Sequence, residues 1–198
     1  MTRRSSAEPA AACDAPTTCP GPRALQTTVT YLEMTTRPAG PLPPAPLPGV
    51  EVRRALDPTA SFYRYLYDAV GSAWTWVERK ALSDAQLRAI IADPQVEVHV
   101  LWVDGVPAGY VELDRRRPPE VEVAYFGLVR EFIGRGLGRW LLDWAVARAW
   151  DGVPRRVWVH TCDLDHPRAL NVYQKAGFRI YARRRESVPL AASMPAHG

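Results

Sequence analysis

A glycine-rich segment at residues 133–139 constrains the fold of this chain more than any other feature, and its sequence is IGRGLGR. It follows an alternating apolar stretch at residues 121–129, which predicts a β-strand, and it leads into residues 137–150, which predict a helix. Glycines let the backbone approach an anion closely, and the first N–H groups of a helix carry a partial positive charge. The segment therefore predicts a cradle for a pyrophosphate, and a simple tight turn is the alternative.

Two better-known phosphate motifs do not fit this segment. A dinucleotide-binding G-x-G-x-x-G motif would place a third glycine where Leu141 stands and would open the domain with a parallel βαβ unit. A Walker A loop would contain Gly-Lys-Ser or Gly-Lys-Thr, which the sequence lacks. Both classes of nucleotide-binding protein are therefore excluded.

Proline divides the chain into an irregular N-terminal part and a globular part. Ten of the 19 prolines fall in residues 1–48, where the chain cannot bury enough apolar surface to offset the entropy of ordering it. We therefore expect a disordered leader at residues 1–25, one domain at residues 26–186 and a flexible tail at residues 187–198. Within the N-terminal part, residues 27–34 are rich in β-branched side chains in an alternating pattern, which predicts a strand.

From residue 50 onwards the sequence predicts the element order β-αα-βββ-α-β-α-β. Aromatic and aliphatic residues at helical spacing from Phe62 to Val70 predict a helix packed in the core, and the Ser-Asp-Ala-Gln sequence at residues 83–86 predicts the start of the next helix. Asp104-Gly105 is typical of a type I′ hairpin turn between two strands. Together these elements predict a mixed α/β domain.

Composition and charge exclude several other classes of protein. Apolar residues make up 47% of the chain, and no stretch reaches the roughly 18 consecutive apolar residues that a membrane crossing needs. The net charge of +4 is too small to demand a polyanionic partner, and we interpret the arginine runs at residues 115–117 and 183–185 as solvated. The three cysteines form no Cys-x-x-Cys pair. We expect a cytoplasmic protein with no membrane segment, no nucleic-acid partner and no metal.

The glycine segment resembles the acyl-CoA signature (Gln/Arg)-x-x-Gly-x-(Gly/Ala) of the GNAT-type N-acetyltransferase superfamily. Gly136 and Gly138 fill its glycine positions, while Ile133 stands in place of the Gln or Arg. A second hallmark of that superfamily is a helix that ends in Tyr-x-x-x-Gly-Phe, and it resembles residues 169–178, although His166 replaces the usual Asn. The two hallmarks occur in the expected order and on the expected elements.

The resemblance implies a GNAT-like acyl-CoA-binding fold with a mixed, mostly antiparallel central sheet and flanking helices. It also implies that acetyl-CoA is the co-substrate and that the acetyl group passes directly to an amine in a ternary complex, without a metal. The acceptor would be a small-molecule or peptide amine, and the protein would be a monomer or a homodimer. The implied cofactor contacts are Leu128, Val129, Gly134, Arg135, Gly136, Leu137, Gly138, Arg139, His166 and Asn171.

Glu122 is the candidate general base, because an amine must lose a proton before it attacks. Period-two alternation along the strand places Glu122 on the same face as Phe126 and Leu128, as a carboxylate among apolar groups. The matching position carries the base in histone-type members of the superfamily. The alternative is a solvated glutamate at the strand end, with the His and Asp side chains of residues 160–166 binding or deprotonating the amine instead.

Tyr173 is the candidate for stabilising the CoA thiolate as it departs. The resemblance implies that its hydroxyl faces the thioester sulfur, where it would protonate the leaving group or donate a hydrogen bond to it. A phenol with an ordinary pKa near 10 stays protonated at neutral pH, so it needs no special tuning for this role. A tyrosine that only packs in the core is the alternative.

The acceptor site is expected at the loop that follows the aromatic helix. The resemblance implies that the first two helices and their connection wall this site, so that Trp74, Trp76 and Glu78, together with His160, bind the amine through cation–π contacts and charge. Core packing is the alternative for the aromatic residues. Two other function classes stay open, namely a non-enzymatic acyl-CoA-binding sensor and a nucleic-acid-binding module built on the arginine runs.

Overall fold

The computed structural model describes residues 24–74 and 76–189, and these residues form one seven-stranded sheet with four helices. The strands are β1 (Ala24–Met34), β2 (Val50–Ala55), β3 (Val96–Val103), β4 (Val106–Asp114), β5 (Glu120–Leu128), β6 (Arg156–Cys162) and β7 (Arg179–Pro189). The helices are α1 (Ala60–Gly71), α2 (Asp84–Ile91), α3 (Leu137–Ala149) and α4 (Ala169–Lys175), and a short 3-10 turn spans Arg130–Phe132. Most of the expected leader and tail lies outside the described residues.

The sheet is mixed and mostly antiparallel. Its strands follow the order β2-β3-β4-β5-β6-β1-β7, and every neighbouring pair is antiparallel except β5 and β6. The turn between β3 and β4 has positive φ values at Asp104 (50°) and Gly105 (80°), as a type I′ turn requires. The predicted fold class and hairpin are therefore confirmed. The position of β1 between β6 and β7 is not indicated by its own sequence.

Helices cover both faces of the sheet and enclose two apolar clusters. Tyr63 and Tyr67 of α1 are at most 1% exposed and pack with α2 against β3 and β4, which confirms the prediction of a core helix. The other face of the sheet packs against α3 through side chains such as Leu141. The hydroxyl of Thr59 caps α1, and a capping box at Ser83 opens α2 where the sequence predicts the start of a helix. None of the described helices has the length and apolar character that crossing a membrane requires.

The strand β5 contains a β-bulge that interrupts the predicted alternation. On the neighbouring strand β4, Glu112 lies opposite Tyr125. The next residue of β4, Leu113, lies opposite Val123, so Ala124 is an extra residue in β5. Because side chains alternate between faces along a strand, one extra residue reverses the faces of all residues beyond it.

The bulge overturns the predicted environment of Glu122. Phe126 and Leu128 belong to the apolar cluster that contains α3. Glu122 lies on the opposite face, together with Tyr125, which packs in the cluster that contains α1. The prediction that Glu122 shares a face with Phe126 and Leu128 is therefore wrong, and its carboxylate is not placed among their apolar groups.

A buried carboxylate, Glu97, ties β3 to α3. Its side chain is 6% exposed and lies 2.8 Å from Nε2 of His99, 3.0 Å from Nε of Arg115 and 2.9 Å from Nε of Arg148. Burial alone raises the pKa of Glu97, but these hydrogen bonds and charges outweigh burial and lower the pKa to about 2. Arg115 also donates to the carbonyl of Ala149 at the end of α3. The interpretation of the first arginine run as solvated is therefore wrong for Arg115.

Candidate active site

The candidate active site is a cleft that opens where β5 and β6 separate. The two parallel strands pair only from Glu120 to Val123 on β5 and from Arg156 to Val159 on β6. Beyond that point β5 pairs only with β4, and β6 only with β1, which leaves one edge of β5 unpaired within the described part of the chain. The cleft between them has a volume of about 530 Å³. An unpaired strand edge offers backbone N–H and C=O groups to an extended ligand.

The glycine turn forms part of the cleft wall at the start of α3. Gly134 and Gly136 have φ values of +89° and +79°, a left-handed backbone that favours glycine. Gly136 directly precedes α3, whose N-terminus has no side-chain cap, so the first N–H groups of the helix can bind an anion. A Cβ at residue 136 would lie 3.4 Å from Pro46. The turn fits the backbone cradle that the sequence predicts, and a bulky side chain would fill it.

The predicted cofactor contacts divide into two groups. Those that line the cleft are Leu128, Gly134, Gly136, Gly138, Arg139 and His166. Those that are not among its lining residues are Val129, Arg135, Leu137 and Asn171. The guanidinium of Arg135 lies over the ring of Phe132 at 5.3 Å, and Leu137 is fully buried in the core. Arg139 reaches the cleft while its Nε donates to Asp143 at 2.8 Å.

His160 and Glu122 form a pair near the point where the strands separate. Oε1 of Glu122 lies 3.3 Å from Nδ1 of His160, and of the two residues only His160 lines the cleft. Burial alone lowers the pKa of His160, but the Glu122 carboxylate, with Asp165 and Glu78 further off, raises it above its ordinary value. A molecule in the cleft therefore meets His160 before it meets Glu122.

Tyr173 faces the cleft from α4. It is 6% exposed, and its ring lies 6.1 Å from the rings of both Phe126 and Phe178, measured between centroids. Its hydroxyl has no hydrogen-bond partner among the described residues, although it lines the cleft. Burial, with the charge of Asp165, raises the pKa of this hydroxyl above its ordinary value, so it stays protonated at neutral pH.

Asp165 connects the α1–α2 loop to the end of β6. Its Oδ1 accepts a hydrogen bond from Nε1 of Trp76 at 3.2 Å. Its Oδ2 accepts from the hydroxyl of Thr161 at 2.7 Å and from the backbone N–H of Cys162 at 3.0 Å. Both oxygens are therefore occupied, and Asp165 contributes negative charge to the cleft rather than an open hydrogen-bond acceptor.

The other polar residues that follow β6, Asp163 and His166, each bond to a different part of the backbone. Asp163 accepts from the backbone N–H of Thr28 at 3.2 Å and is not among the lining residues of the cleft. Nδ1 of His166 accepts from the backbone N–H of Arg168 at 3.0 Å, and its ring lies 4.8 Å from that of Trp74. Across residues 24–74 and 76–189, no group of three or more His, Cys, Asp or Glu side chains is arranged to hold a metal ion.

The predicted acceptor residues lie in the same cleft, and a buried ion pair anchors the loop that carries three of them. Nη2 of Arg79 lies 2.6 Å from Oε1 of Glu112, which is fully buried on β4 and also accepts from the hydroxyl of Tyr63. The hydroxyl of Tyr67 donates to Oε2 of Glu78 at 3.0 Å. The predicted acceptor residues, all of which line the cleft, are Trp74, Trp76, Glu78 and His160.

Tyr31 and Glu186 are among the cleft residues that reasoning from the sequence missed. Tyr31 of β1 lies opposite His160 of β6 in the sheet, and its hydroxyl donates to Oε1 of Glu186 on β7 at 2.7 Å. Burial and this hydrogen bond raise the pKa of Tyr31 to about 12. Both residues line the cleft because β1 and β7 pair beside β6. Only a prediction of this long-range pairing would have found them.

The splayed mixed sheet and the glycine turn at a helix N-terminus define a mixed α/β domain with a cleft between two separating strands. The chain belongs to the GNAT acetyltransferase family, because the model of that family matches residues 63–178, more than half of the chain. This result confirms the resemblance based on the two hallmarks. None of the curated proteins compared with the chain matches it significantly.

Solved structures of this family share the fold. A GCN5-related N-acetyltransferase from Sphaerobacter thermophilus has a TM-score of 0.62 and 18% identity, and the match covers 88% of this chain and 55% of that one. A GNAT-family acetyltransferase from Novosphingobium aromaticivorans has a TM-score of 0.56 and 18% identity over 87% and 69% of the two chains. A Bacillus subtilis acetyltransferase solved in complex with CoA has a TM-score of 0.51 and 20% identity over 67% and 78%. This chain thus spans about half the length of the Sphaerobacter protein.

Proposed function

We propose that the protein is an N-acetyltransferase that transfers the acetyl group of acetyl-CoA to an amine by direct attack in a ternary complex. The observation that carries this proposal is one cleft that combines the open edge of β5, the glycine turn of α3, His160 and Tyr173. The family to which the chain belongs supports it. We place the activity in the cytoplasm, where a thiol such as that of Cys162 stays reduced.

The backbone would hold the acetyl donor. The free N–H groups at the start of α3 suit the pyrophosphate, since a helix N-terminus carries partial positive charge. The open edge of β5, which includes Gly127 and Leu128, suits an extended pantetheine arm that pairs like an additional strand. Both contacts use main-chain groups, so Ile133 in the place of Gln or Arg leaves them intact.

His160 would accept the proton of the amine as the C–N bond to the acetyl carbon forms. It is the titratable group of the pair that faces the cleft, and Glu122 behind it would act as a positioning residue that favours the protonated imidazole. This assignment modifies the expectation that Glu122 itself is the base. No acyl-enzyme is needed, because the amine is the nucleophile.

Tyr173 would stabilise the CoA sulfur as the C–S bond breaks. A thiol has an ordinary pKa of about 8.5, whereas burial holds the pKa of Tyr173 above its usual value. Complete transfer of the phenolic proton to the thiolate is therefore uphill. We propose that Tyr173 donates a hydrogen bond to the departing sulfur and that solvent supplies the proton after release.

A screen for CoA release over a panel of amines tests the activity, with mass spectrometry of the acetylated product. We expect CoA release that depends on both acetyl-CoA and an amine. Binding of acetyl-CoA without acetylation of any amine would contradict the proposal and favour a non-enzymatic sensor. Binding of nucleic acid with a steep dependence on salt would instead favour a nucleic-acid-binding module.

Two matched glycine variants test the donor site. Gly136→Val places a branched side chain at φ +79° near Pro46, in the proposed cradle, and we expect CoA affinity measured by titration calorimetry to fall at least tenfold. Gly152→Val is the control, because Gly152 has the same backbone strain (φ +88°) but open space around it and is not among the lining residues of the cleft. Equal CoA affinity in the two folded variants would refute the cradle.

A further inference from the structure

The charged groups of the cleft are unevenly distributed. The α1–α2 loop, β6 with the turn after it, and β7 contribute three carboxylates, on Glu78, Asp165 and Glu186. The arginines that line the cleft, Arg139 and Arg168, belong instead to α3 and to the residue before α4. Among the described residues that line the cleft, those around His160 therefore carry only acidic charge while His160 is neutral, and Arg184, over the ring of Tyr31, is not a lining residue.

Two of these carboxylates keep an oxygen available for a ligand. Oε2 of Glu78 accepts from the Tyr67 hydroxyl and Oε1 of Glu186 accepts from the Tyr31 hydroxyl, and the second oxygen of each has no partner among the described residues. Arg184 stacks over the ring of Tyr31 at 5.2 Å and forms no ion pair with Glu186 in the described part of the chain. Both glutamates are exposed, so they lie at the mouth of the cleft.

Only one side of the reacting centre lies deeper than this mouth. Tyr173 is 6% exposed, lines the cleft, and has a hydroxyl with no hydrogen-bond partner among the described residues, so a ligand can bond to it. The acetyl group would therefore sit beside Tyr173, and the attacking nitrogen would lie between Tyr173 and His160, whose side chain is 43% exposed. Glu78 and Glu186 would contact the part of the acceptor that extends beyond His160.

Carboxylates are a poor environment for an acceptor whose only charge is on the reacting amine. The amine attacks in its neutral form, and nearby negative charge favours the protonated form. A second cationic group, which stays charged throughout the reaction, keeps its attraction to the carboxylates while the first amine loses its proton. The charge pattern therefore suits an acceptor with two cationic groups.

We propose, on the basis of the proposed function, that the acceptor is a dicationic amine. One amine reacts between His160 and Tyr173, and the second cationic group is held at the mouth by Glu78 and Glu186. Trp74 and Trp76 also line the cleft, where an indole would add cation–π attraction. The substrate class is a diamine or polyamine, and the acetylated product keeps one positive charge.

The experiment compares α,ω-diaminoalkanes of graded length with the monoamines of the same chain length. We expect the kcat/KM of the best diamine to exceed that of its matched monoamine by about tenfold at low salt, which is what two partly exposed ion pairs supply. Added salt screens exposed charges, so the ratio should fall as ionic strength rises. Uncharged ω-hydroxyalkylamines control for polarity at the second position.

Charge-removing variants locate the second cation. Glu78→Gln and Glu186→Gln should each lower the ratio of diamine to monoamine kcat/KM, and the double variant should bring it close to one. Glu51→Gln is the matched control, because Glu51 lies on the edge strand β2 at the far end of the sheet and pairs with Arg53 outside the cleft. It removes the same charge and should leave the ratio unchanged.

The outcomes separate this inference from the activity on which it rests. Acetylation of monoamines as efficient as that of diamines, with no effect of Glu78→Gln or Glu186→Gln, would overturn the dicationic acceptor and leave the acetyltransferase intact. Acetylation only of peptides with a single amine would likewise overturn the dicationic acceptor and leave the acetyltransferase intact. The lack of acetylation of any amine would overturn both proposals.

Discussion

The hydroxyl of Tyr173 is the single group whose removal tests the proposed chemistry most directly. Tyr173→Phe keeps the ring, with its contacts to Phe126 and Phe178, and deletes only the oxygen. Because that oxygen has no partner among the described residues, its loss breaks no hydrogen bond that the structure shows. We therefore expect little change in the free energy of unfolding and in acetyl-CoA affinity.

The expected effect on turnover follows from the charge that develops on sulfur. A hydrogen bond to a charged group contributes about 1.5–3 kcal/mol, which corresponds to about 10- to 150-fold in rate. The loss should appear in kcat, because the thiolate exists only as the C–S bond breaks. KM for acetyl-CoA should change little.

The assay measures CoA release under saturating substrates, with single-turnover experiments showing that chemistry limits the rate. Tyr110→Phe is the matched control, because Tyr110 is fully buried, its hydroxyl also has no partner within residues 24–74 and 76–189, and it does not line the cleft. That variant should keep full turnover. Full turnover in Tyr173→Phe as well would refute the role of the hydroxyl and leave Tyr173 as a packing residue.

Three further predictions concern charge. Glu122→Gln should move the acidic limb of the pH–rate profile to lower pH, because the Glu122 carboxylate raises the pKa of His160 and only neutral imidazole accepts the proton; an unmoved limb would contradict the pairing. Arg79→Met leaves the buried Glu112 without its partner and should lower the free energy of unfolding in urea by about 3–5 kcal/mol. Adding Glu112→Gln to Arg79→Met should recover most of the lost free energy of unfolding. If the losses of the two single variants simply add in the double variant, the Arg79–Glu112 ion pair is not the cause. The folded-state pKa of Glu97, about 2, lies below its ordinary 4.5, so its stabilisation is present above pH 4.5 and lost as the pH falls towards 2. Acid unfolding curves should show about 3 kcal/mol of this dependence, and Glu97→Gln should lack it.

The parts of the fold that depend on local signals could be predicted from the sequence. A glycine turn, a capping box and a type I′ dipeptide each act within a few residues, and each lies where the sequence predicts it, at Gly136, Ser83 and Asp104. The core helix α1 follows from spacing alone, because Tyr63 and Tyr67 recur on one helix face. Local propensity and the final packing agree at these positions.

The parts of the site that depend on long-range pairing could not be predicted. Tyr31 and Glu186 are far apart in the chain, and they meet beside His160 because β1 inserts between β6 and β7. The sequence of β7 shows why this pairing could not be predicted. Its run of arginines at residues 183–185 is typical of solvated chain, yet these residues form part of a strand that pairs with β1. Strand pairing satisfies the backbone of such a segment whatever its side chains, so composition alone does not reveal it.

The bulge at Ala124 connects the unpredicted geometry to the cleft itself. Val123 is the last residue of β5 that pairs with β6, and the extra residue follows immediately. A bulge bends its strand and increases the local twist, which turns β5 away from β6 at the point where the cleft opens. The same residue reverses the faces of β5, so that Glu122 lies behind His160 while Phe126 packs against Tyr173. Ala124, which has no distinctive side chain, therefore has two effects. It opens the strand edge that suits the acyl donor, and it places His160 between the acceptor and Glu122.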